Sequence, residues 1–579
     1  METRRETTAI SLVIFFAFLL MGGVITTAQA QQIQVTAADP PSTAQGTLNL
    51  NVKVTGKGFK NGAQAKWFVT GTTNPGGVIV NATAFVNSGE LTANITVDDT
   101  ATIANFDIAV TNPDGRGGKG TELFKVTEKG GNASCPPIQP APTSDTKCYA
   151  VSAGCLDTMF GTSGFVTTDP DGPTYSDIPA DTVVQSDGKI IVTGQTTNQV
   201  NGTGTDFIVL RYNPDGTLDI AFGDPDPLNP SLRRGYVVTP FTTGVDLANT
   251  VVLQPDGKIV VGGWSSPGDM AVARYNTDGT LDATFGSAGK VVISFGSAAS
   301  IRQIVIQSDH KLILAGQGGA PSFFAVVRLN PNGTLDSSFG TGGKVVVNPS
   351  SVKRGHGEAW TLGIQRIPAV TGEERIVVGG WSTTGPGAAV EWTMMRFKAN
   401  GATDTSFGLS GRVTTSFFGF GDQLRRLAID SANRIVAAGF TNTATNCGNY
   451  VIDFAIVRYT QDGSLDVNFS GGKQTVDIYG GNDNLYGLAI QPDGKLLIAG
   501  SAYSSDQTVK DFALVRFNDN GTRDFGFGLL GNGIVTTDFY GHQDYAYAVA
   551  VQPTDGKIVV TGSIYVNSTG DIGVARFWW

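Results

Sequence analysis

The side chains that could do chemistry recur along this chain instead of gathering in one motif. A short turn closing on a basic residue appears seven times, at Lys189, Lys258, Lys311, Arg375, Arg434, Lys495 and Lys557. An aspartate stands 12 residues ahead of that basic residue at Asp177, Asp246, Asp422 and Asp483, and 13 ahead at Asp544. At the start of what should be innermost strands, these acids would offer a partial ring of oxygens for Ca²⁺ or a cationic ligand, since hard cations take several oxygens. The alternative is an Asp accepting hydrogen bonds from backbone amides in each inter-unit turn. Spacing favours the turn role, because one carboxylate per unit is spread widely around an axis. Aromatics lie beside these acids: Phe417, Phe418 and Phe420, then Tyr479 and Tyr486, then Tyr540, Tyr545 and Tyr547, with Trp264 and Trp381 at equivalent strand ends. With the five aspartates, Tyr540 and Tyr545 are candidates for a glycan or protein ligand; the same rings could instead pack seams between units.

Evidence for catalysis is thinner. The three histidines, His310, His356 and His542, form no i/i+4 pair, and no Gly-x-Ser-x-Gly, phosphate loop or dinucleotide fingerprint occurs. No catalytic residue is assigned. Asp169-Pro-Asp-Gly172 and Asp224-Pro-Asp226 lack the regular oxygen ligands of an EF-hand and read as turns. A polysaccharide hydrolase or lyase using carboxylates near a channel mouth stays open, because acids from different units leave no local signature. The net charge of −10, from 40 Lys+Arg against 50 Asp+Glu, opposes phosphate backbones and argues against nucleic acid as a partner.

The elements that must position these residues are β-strands. A second recurring segment reads Arg211-Tyr-Asn-Pro-Asp-Gly-Thr-Leu-Asp219, followed by Phe222-Gly223. Its Arg-to-Asp spacing of eight repeats at Arg274/Asp282, Arg328/Asp336, Arg396/Asp404, Arg458/Asp466 and Arg516/Asp524. Around a Pro-Asp-Gly loop that spacing sets Arg opposite Asp as a cross-strand ion pair that fixes hairpin register. Each unit of about 60 residues holds four apolar runs joined by short turns, which predicts a seven-bladed β-propeller. Turns lacking Gly carry His310 or Asn433, residues that tolerate positive φ. The last unit ends at Arg576-Phe-Trp-Trp579, while the repeat region begins with an orphan Leu156-Asp157 segment, so Asp157 should face Arg576 and the chain's two ends should complete one blade.

These segments resemble the bacterial delta-60 repeat family over residues 156–579, which implies a propeller in an extracellular setting without an assigned activity. Ahead of it, residues 31–128 alternate apolar and polar runs as an immunoglobulin-like β-sandwich does. Val54-Thr-Gly-Lys-Gly-Phe59 and Val110-Thr-Asn-Pro-Asp-Gly115 are similar to the IPT/TIG fold, whose modules present or space other domains.

Residues 1–30 carry Arg4 and Arg5, an apolar Ala9–Ile25 run and an Ala28-Gln29-Ala30 cleavage pattern, as an export signal does. The expected product is a secreted or cell-surface monomer, with the periplasm and either export route open. Four cysteines, Cys135, Cys148, Cys155 and Cys447, are then disulfide candidates with pairing open, three of them in a linker at 129–155. The fold class expected is thus all-β, and the function expected is non-enzymatic binding or adhesion through a propeller face or the loops Gln195–Asp206 and Thr441–Asp453. No cofactor beyond Ca²⁺ is implied.

Overall fold

The computed structural model describes residues 33–45, 50–98, 101–127, 152–172, 174–197, 204–320, 322–350, 355–367, 373–383, 389–419, 421–444, 450–504, 507–566 and 569–579. The export segment, Cys135, Cys148, Cys447 and Phe420 lie outside these. Regular structure among the described residues is β-strand, and no helix there is long and apolar enough to cross a membrane. The chain divides into two compact units, Met1–Lys129 and Gly130–Trp579.

In the first unit two four-stranded sheets enclose one core. One orders Gln34–Asp39, Leu50–Lys57, Glu90–Val97 and Val78–Asn87; the other orders Ser42–Ala44, Gly117–Thr127, Ala104–Thr111 and Gln64–Val69. Glu90–Val97 shows the period-two rule, with Leu91, Ala93, Ile95 and Val97 all fully buried. Trp67 meets Phe124 edge-on at 6.0 Å in this core. The strands Gln34–Asp39 and Ser42–Ala44 were not separable in sequence: the first is a sheet edge with a register shift, the second a three-residue parallel pairing.

The second unit is seven four-stranded antiparallel sheets. The first blade runs Ile178–Val184, Ile190–Thr197, Thr205–Tyr212 and Tyr236–Thr239. The first strands of the seven blades, Ile178–Val184, Asp246–Leu253, Ser300–Ile306, His356–Ile367, Asp422–Ile429, Asn484–Ile490 and Asp544–Val551, each touch their neighbours and close a ring. Central strands read as near-continuous apolar runs because neighbouring blades cover both faces: Ile190, Ile191, Val192, Ile208, Val209 and Leu210 are all fully buried. Phe165–Thr168 pairs with Thr569–Phe577, so the chain's own beginning supplies the fourth strand of the last blade.

One charged clamp repeats in every blade. Arg211 Nε donates to Asp219 Oδ2 at 2.7 Å, and Lys189 Nζ reaches the same oxygen at 2.8 Å. At the closure Arg576 Nε and Lys557 Nζ meet Asp157 Oδ2 at 2.8 and 2.9 Å. The turn's basic residue and the Arg-Asp segment therefore converge on one carboxylate. Each arginine also lies over the Phe of the following Phe-Gly, which is Phe469-Ser470 in blade five, or over its Phe160 counterpart at the closure: Arg211 over Phe222 at 4.5 Å, Arg576 over Phe160 at 4.7 Å. Nη1 then crosses to the next blade, where Arg396 donates to the Gln461 carbonyl at 2.7 Å. The turns between strands take left-handed residues where Gly is missing, His310 at φ 63° and Asn433 at φ 59°.

Cutting the closure clamp should be costly. Arg576→Ala leaves Asp157 fully buried with one cation, and breaking a buried pair costs about 3–5 kcal/mol. The expected result in urea unfolding is a lower midpoint with unchanged slope. The clamp also sets an acid limit. Burial pushes Asp157, Asp219, Asp282, Asp336, Asp404, Asp466 and Asp524 up, but hydrogen bonds and the facing cations outweigh it and hold all seven below the ordinary carboxylate range. A lowered folded pKa gives stability that is complete above the unfolded value of about 3.9 and lost as pH falls toward the folded one. Thermal melting should therefore lose its clamp contribution only below about pH 4, and a melt that weakens first near pH 6 would assign acid lability elsewhere.

Candidate functional site

Each first strand opens on the position that holds the candidate aspartates, and the structure sets these between blades, where Asp177, Asp246, Asp422, Asp483 and Asp544 are fully buried. Four of them accept a backbone amide from the turn five residues earlier. Asp246 takes Phe241 N at 2.7 Å and Thr242 N at 3.0 Å; Asp422 takes Phe417 N, Asp483 takes Ile478 N and Asp544 takes Phe539 N. Blades three and four carry Ala299 and Gly357 at this position, two residues before the register shift of the first strand. Asp177 differs: neither of its carboxylate oxygens has a hydrogen-bond partner among the described residues.

Three of the five share their seam with two further acids. Asp169, Asp171 and Asp177 bring carboxylate oxygens within 4.8 Å of one another, as do Asp453, Asp477 and Asp483, and Asp511, Asp538 and Asp544. Burial pushes Asp177 up to about 8, with Asp171, Asp169 and Asp571 adding to it. Burial and then Asp477 push Asp453 up to about 7. Asp169 and Asp171, read from sequence as a turn, do form one, with Gly172 N donating to Asp169 Oδ1 at 2.7 Å, but they also face Asp177. The other members escaped sequence reading because two of the triads are drawn from three separate strand ends. The signal was present as fixed offsets: Asp206, Asp453, Asp511 and Asp571 all lie five residues before a clamp arginine.

Tyr540 and Tyr545 do not meet in one site. Tyr540 is half-exposed and packs on Phe165 at 5.7 Å; Tyr545 packs on Tyr565 at 6.1 Å. Among the other aromatics, Phe417 packs on Trp392 at 5.2 Å and Trp381 on His356 at 5.7 Å.

A second arrangement arises from the register shift itself. Every first strand skips one residue in its pairing with the second, a β-bulge that leaves that residue outside the ladder. In blade order the skipped residues are Ala180, Asn249, Arg302, Trp360, Arg425, Tyr486 and Tyr547. Those of blades three to seven touch in series: Arg302 over Trp360 at 4.2 Å, Arg425 over Trp360 at 3.7 Å and over Tyr486 at 5.7 Å, and Tyr486 against Tyr547 at 5.5 Å. Blades one and two put small side chains at this position. Within this arc Arg302 Nε, Arg425 Nε and Nη1, and Trp360 Nε1 are buried atoms with no hydrogen-bond partner among the described residues. Burial lowers both arginines, Arg425 to about 10 with the neighbouring Arg302 and Arg426 adding to it, while Glu358 acts on both in the opposite sense. The arc is a row of flat rings holding positive charge that lacks acceptors. Sequence reading named Tyr486 and Tyr547 as aromatics but missed the row; a leading Asp three residues earlier marks Arg425, Tyr486 and Tyr547, whereas Arg302 and Trp360 follow Ala299 and Gly357.

The two acid arrangements separate experimentally. Asp246→Ala strands two amides and should cost about 2–3 kcal/mol of stability in chemical unfolding, whereas Asp246→Asn, which keeps an acceptor, should cost about half of that.

Cys155 is disulfide-bonded. None of the curated proteins matches the sequence. Among solved structures, the chain is similar to the polysaccharide lyase Uly1 at 11% identity, covering 75% of this chain and 98% of that one with a TM-score of 0.37. It is similar to virginiamycin B lyase from Staphylococcus aureus at 12% identity, over 57% and 94% with a TM-score of 0.30. A third is the endo-arabinase from Bacteroides thetaiotaomicron, at 10% identity over 57% and 93% with a TM-score of 0.27. By name these are enzymes. The likeness assigns no activity to this chain. Residues 185–222, 254–285, 307–339, 375–407, 433–469, 491–527 and 554–578 each match the β-propeller domain of unknown function DUF5122. The second unit of this chain is a seven-bladed β-propeller, and each of its blades carries a match to that domain.

Proposed function

We propose that the propeller binds an acidic saccharide on the arc Arg302, Trp360, Arg425, Tyr486 and Tyr547. The observation that carries this is the set of four buried donor atoms without acceptors, held on a row of aromatic rings. A buried donor left unpaired costs free energy, so the arc is satisfied only when an acceptor is brought to it. Guanidinium groups suit carboxylate or sulfate oxygens, and Trp and Tyr faces suit the apolar faces of sugar rings. We read the finer family placement as delta-60-type repeats behind an IPT/TIG-like spacer, exported by the signal at residues 1–30.

A second reading, a polysaccharide lyase, has its own observation. Arg425 lies over Tyr486, and a guanidinium that neutralises a uronate carboxylate makes the adjacent C–H more acidic for a nearby tyrosine to handle. Burial, with Tyr486 and Tyr565 adding to it, pushes Tyr547 well above the ordinary tyrosine range, away from that of a base at neutral pH. Tyr486 is therefore the tyrosine this reading requires.

A glycan array spanning neutral, uronate and sulfated oligosaccharides tests both readings. Binding should be confined to acidic glycans and weaken with salt, and Arg425→Ala or Trp360→Ala should reduce affinity at least about tenfold, since a lost charge-assisted hydrogen bond costs about 1.5–3 kcal/mol. Binding that is indifferent to glycan charge would overturn the proposal. Turnover, read as the ultraviolet absorbance of an unsaturated uronide and lost in Tyr486→Phe while binding persists, would establish the lyase.

A further inference from the structure

The three acid triads occur only in certain seams, and the rest of the molecule shows what replaces them. The fourth strands of blades one to seven begin with Tyr236, Lys290, Lys344, Arg412, Lys473, Ile534 and Phe165. That first residue reaches back toward the turn after the preceding blade's fourth strand. Where it is basic, its charge sits against a carbonyl there. Lys290 Nζ donates to Pro240 O at 2.5 Å, Lys344 Nζ to Ser294 O at 2.6 Å, Arg412 Nη1 to Pro349 O at 3.4 Å and Lys473 Nζ to Ser416 O at 3.0 Å. The residue directly after the fourth strand in those four seams is Pro240, Ser294, Asn348 or Ser416, none of them acidic.

Where the strand begins with an uncharged residue, the same turn position is an aspartate without exception. Ile534 faces the seam of Asp477, Phe165 that of Asp538 and Tyr236 that of Asp169, with the Tyr236 hydroxyl 3.4 Å from Pro170 O. These are the three seams in which a third carboxylate completes a triad. So a basic residue at the head of the fourth strand and a third acid exclude each other across all seven seams. The seams without that basic residue have the most carboxylates, the reverse of what charge balance within the chain would produce; in the five-to-six seam Lys510, at the start of a third strand, acts on Asp483 alone of the three acids.

Two buried side chains show where the missing charge belongs. Asp177 is fully buried with both oxygens unpartnered among the described residues, and Asp483 is fully buried with Oδ1 unpartnered. Both are directed at their triad, whose oxygens lie within 4.8 Å of one another. Oxygens bound to one Ca²⁺ at about 2.3–2.6 Å can be no more than about 5 Å apart, so a single ion can touch all three. We propose that the seams between blades five and six, six and seven, and seven and one each hold a divalent cation, calcium by its all-oxygen donors, in the role that Lys290, Lys344, Arg412 and Lys473 fill in the other four. Asp571, five residues before Arg576, stands with Asp169 and Asp171 at the third site.

The test moves one seam from one class to the other. The full secreted chain is stripped with chelator, dialysed against calcium and counted for bound metal. Three ions per chain are expected. The double substitution Ile534→Lys with Asp477→Ser copies the Lys473 and Ser416 pair into the five-to-six seam. It should lower the count from three to two and raise the melting temperature in chelator above that of the parent, because the installed ammonium replaces the ion beside Asp453 and Asp483. Asp177→Asn, at a different seam, should also lower the count by one. A folded parent that holds fewer than three calcium ions, or a swap that leaves the count at three, overturns the proposal.

Discussion

The carboxylate clamped between an arginine and a second basic residue is the interaction on which the propeller depends. In each blade the arginine is at most 7% exposed, so its charge is out of water and must be matched locally. A buried ion pair stabilises only when geometry is good and the remaining donors are satisfied. Here the guanidinium is used from several sides: in blade four, Nε goes to Asp404, Nη1 to the Gln461 carbonyl and Nη2 to Ser406, with the Phe407 ring 4.7 Å away. Each of those partners comes from a different place: the hairpin's other arm, the next blade, and the Phe-Gly turn. One side chain thus fixes hairpin register, blade spacing and the turn into the fourth strand together. An error in any of them would leave a buried charge unmatched, which is how seven similar sheets are kept from slipping against one another.

That constraint is uniform around the ring, and the sites proposed for ligands are not. Clamp arginine and aspartate are the same in all seven blades. The bulged position, by contrast, runs from Ala180 to Trp360, and the seam after the fourth strand meets a basic residue in four consecutive places and holds an extra acid in the other three. A repeat protein is stable as a sum of unit and interface terms, so residues needed by every interface stay alike while positions outside the ladder are free to differ. The sites proposed for ligands lie where the repeat departs from itself.

The blade was legible because its signals are local. Pro-Asp-Gly turns, the eight-residue Arg-to-Asp spacing and the orphan Asp157 segment together specified a closed ring of seven, and the structure joins Arg576 to Asp157 as that reading required. Contacts between distant segments were less legible. The lysine of the clamp lies 30 residues from its aspartate, as Lys189 does from Asp219, so each anchor was visible without its partner. The acid triads were hidden for the same reason, since Asp453, Asp477 and Asp483 belong to a third strand, a turn and the next blade. The leading aspartates were legible as recurring, with the turn role favoured over a ring, and the structure places each in its own seam. The bulge was hidden differently, because a skipped residue breaks the period-two pattern by which strands are recognised.

The bulge also explains how a symmetric ring can present an asymmetric surface. A residue in the ladder is held by cross-strand neighbours on both sides, and changing its size disturbs them. A bulged residue lacks a direct partner, so Ala, Asn, Arg, Trp and Tyr can all occupy it on a similar backbone. If all seven positions carried arginine, like charges around one axis would repel and the ring would be destabilised. Placing Trp360 between Arg302 and Arg425 separates the two charges by a ring whose face attracts both. The charge is thereby concentrated in blades three to five with an aromatic ring between the two cations, while blades one and two carry the uncharged Ala180 and Asn249.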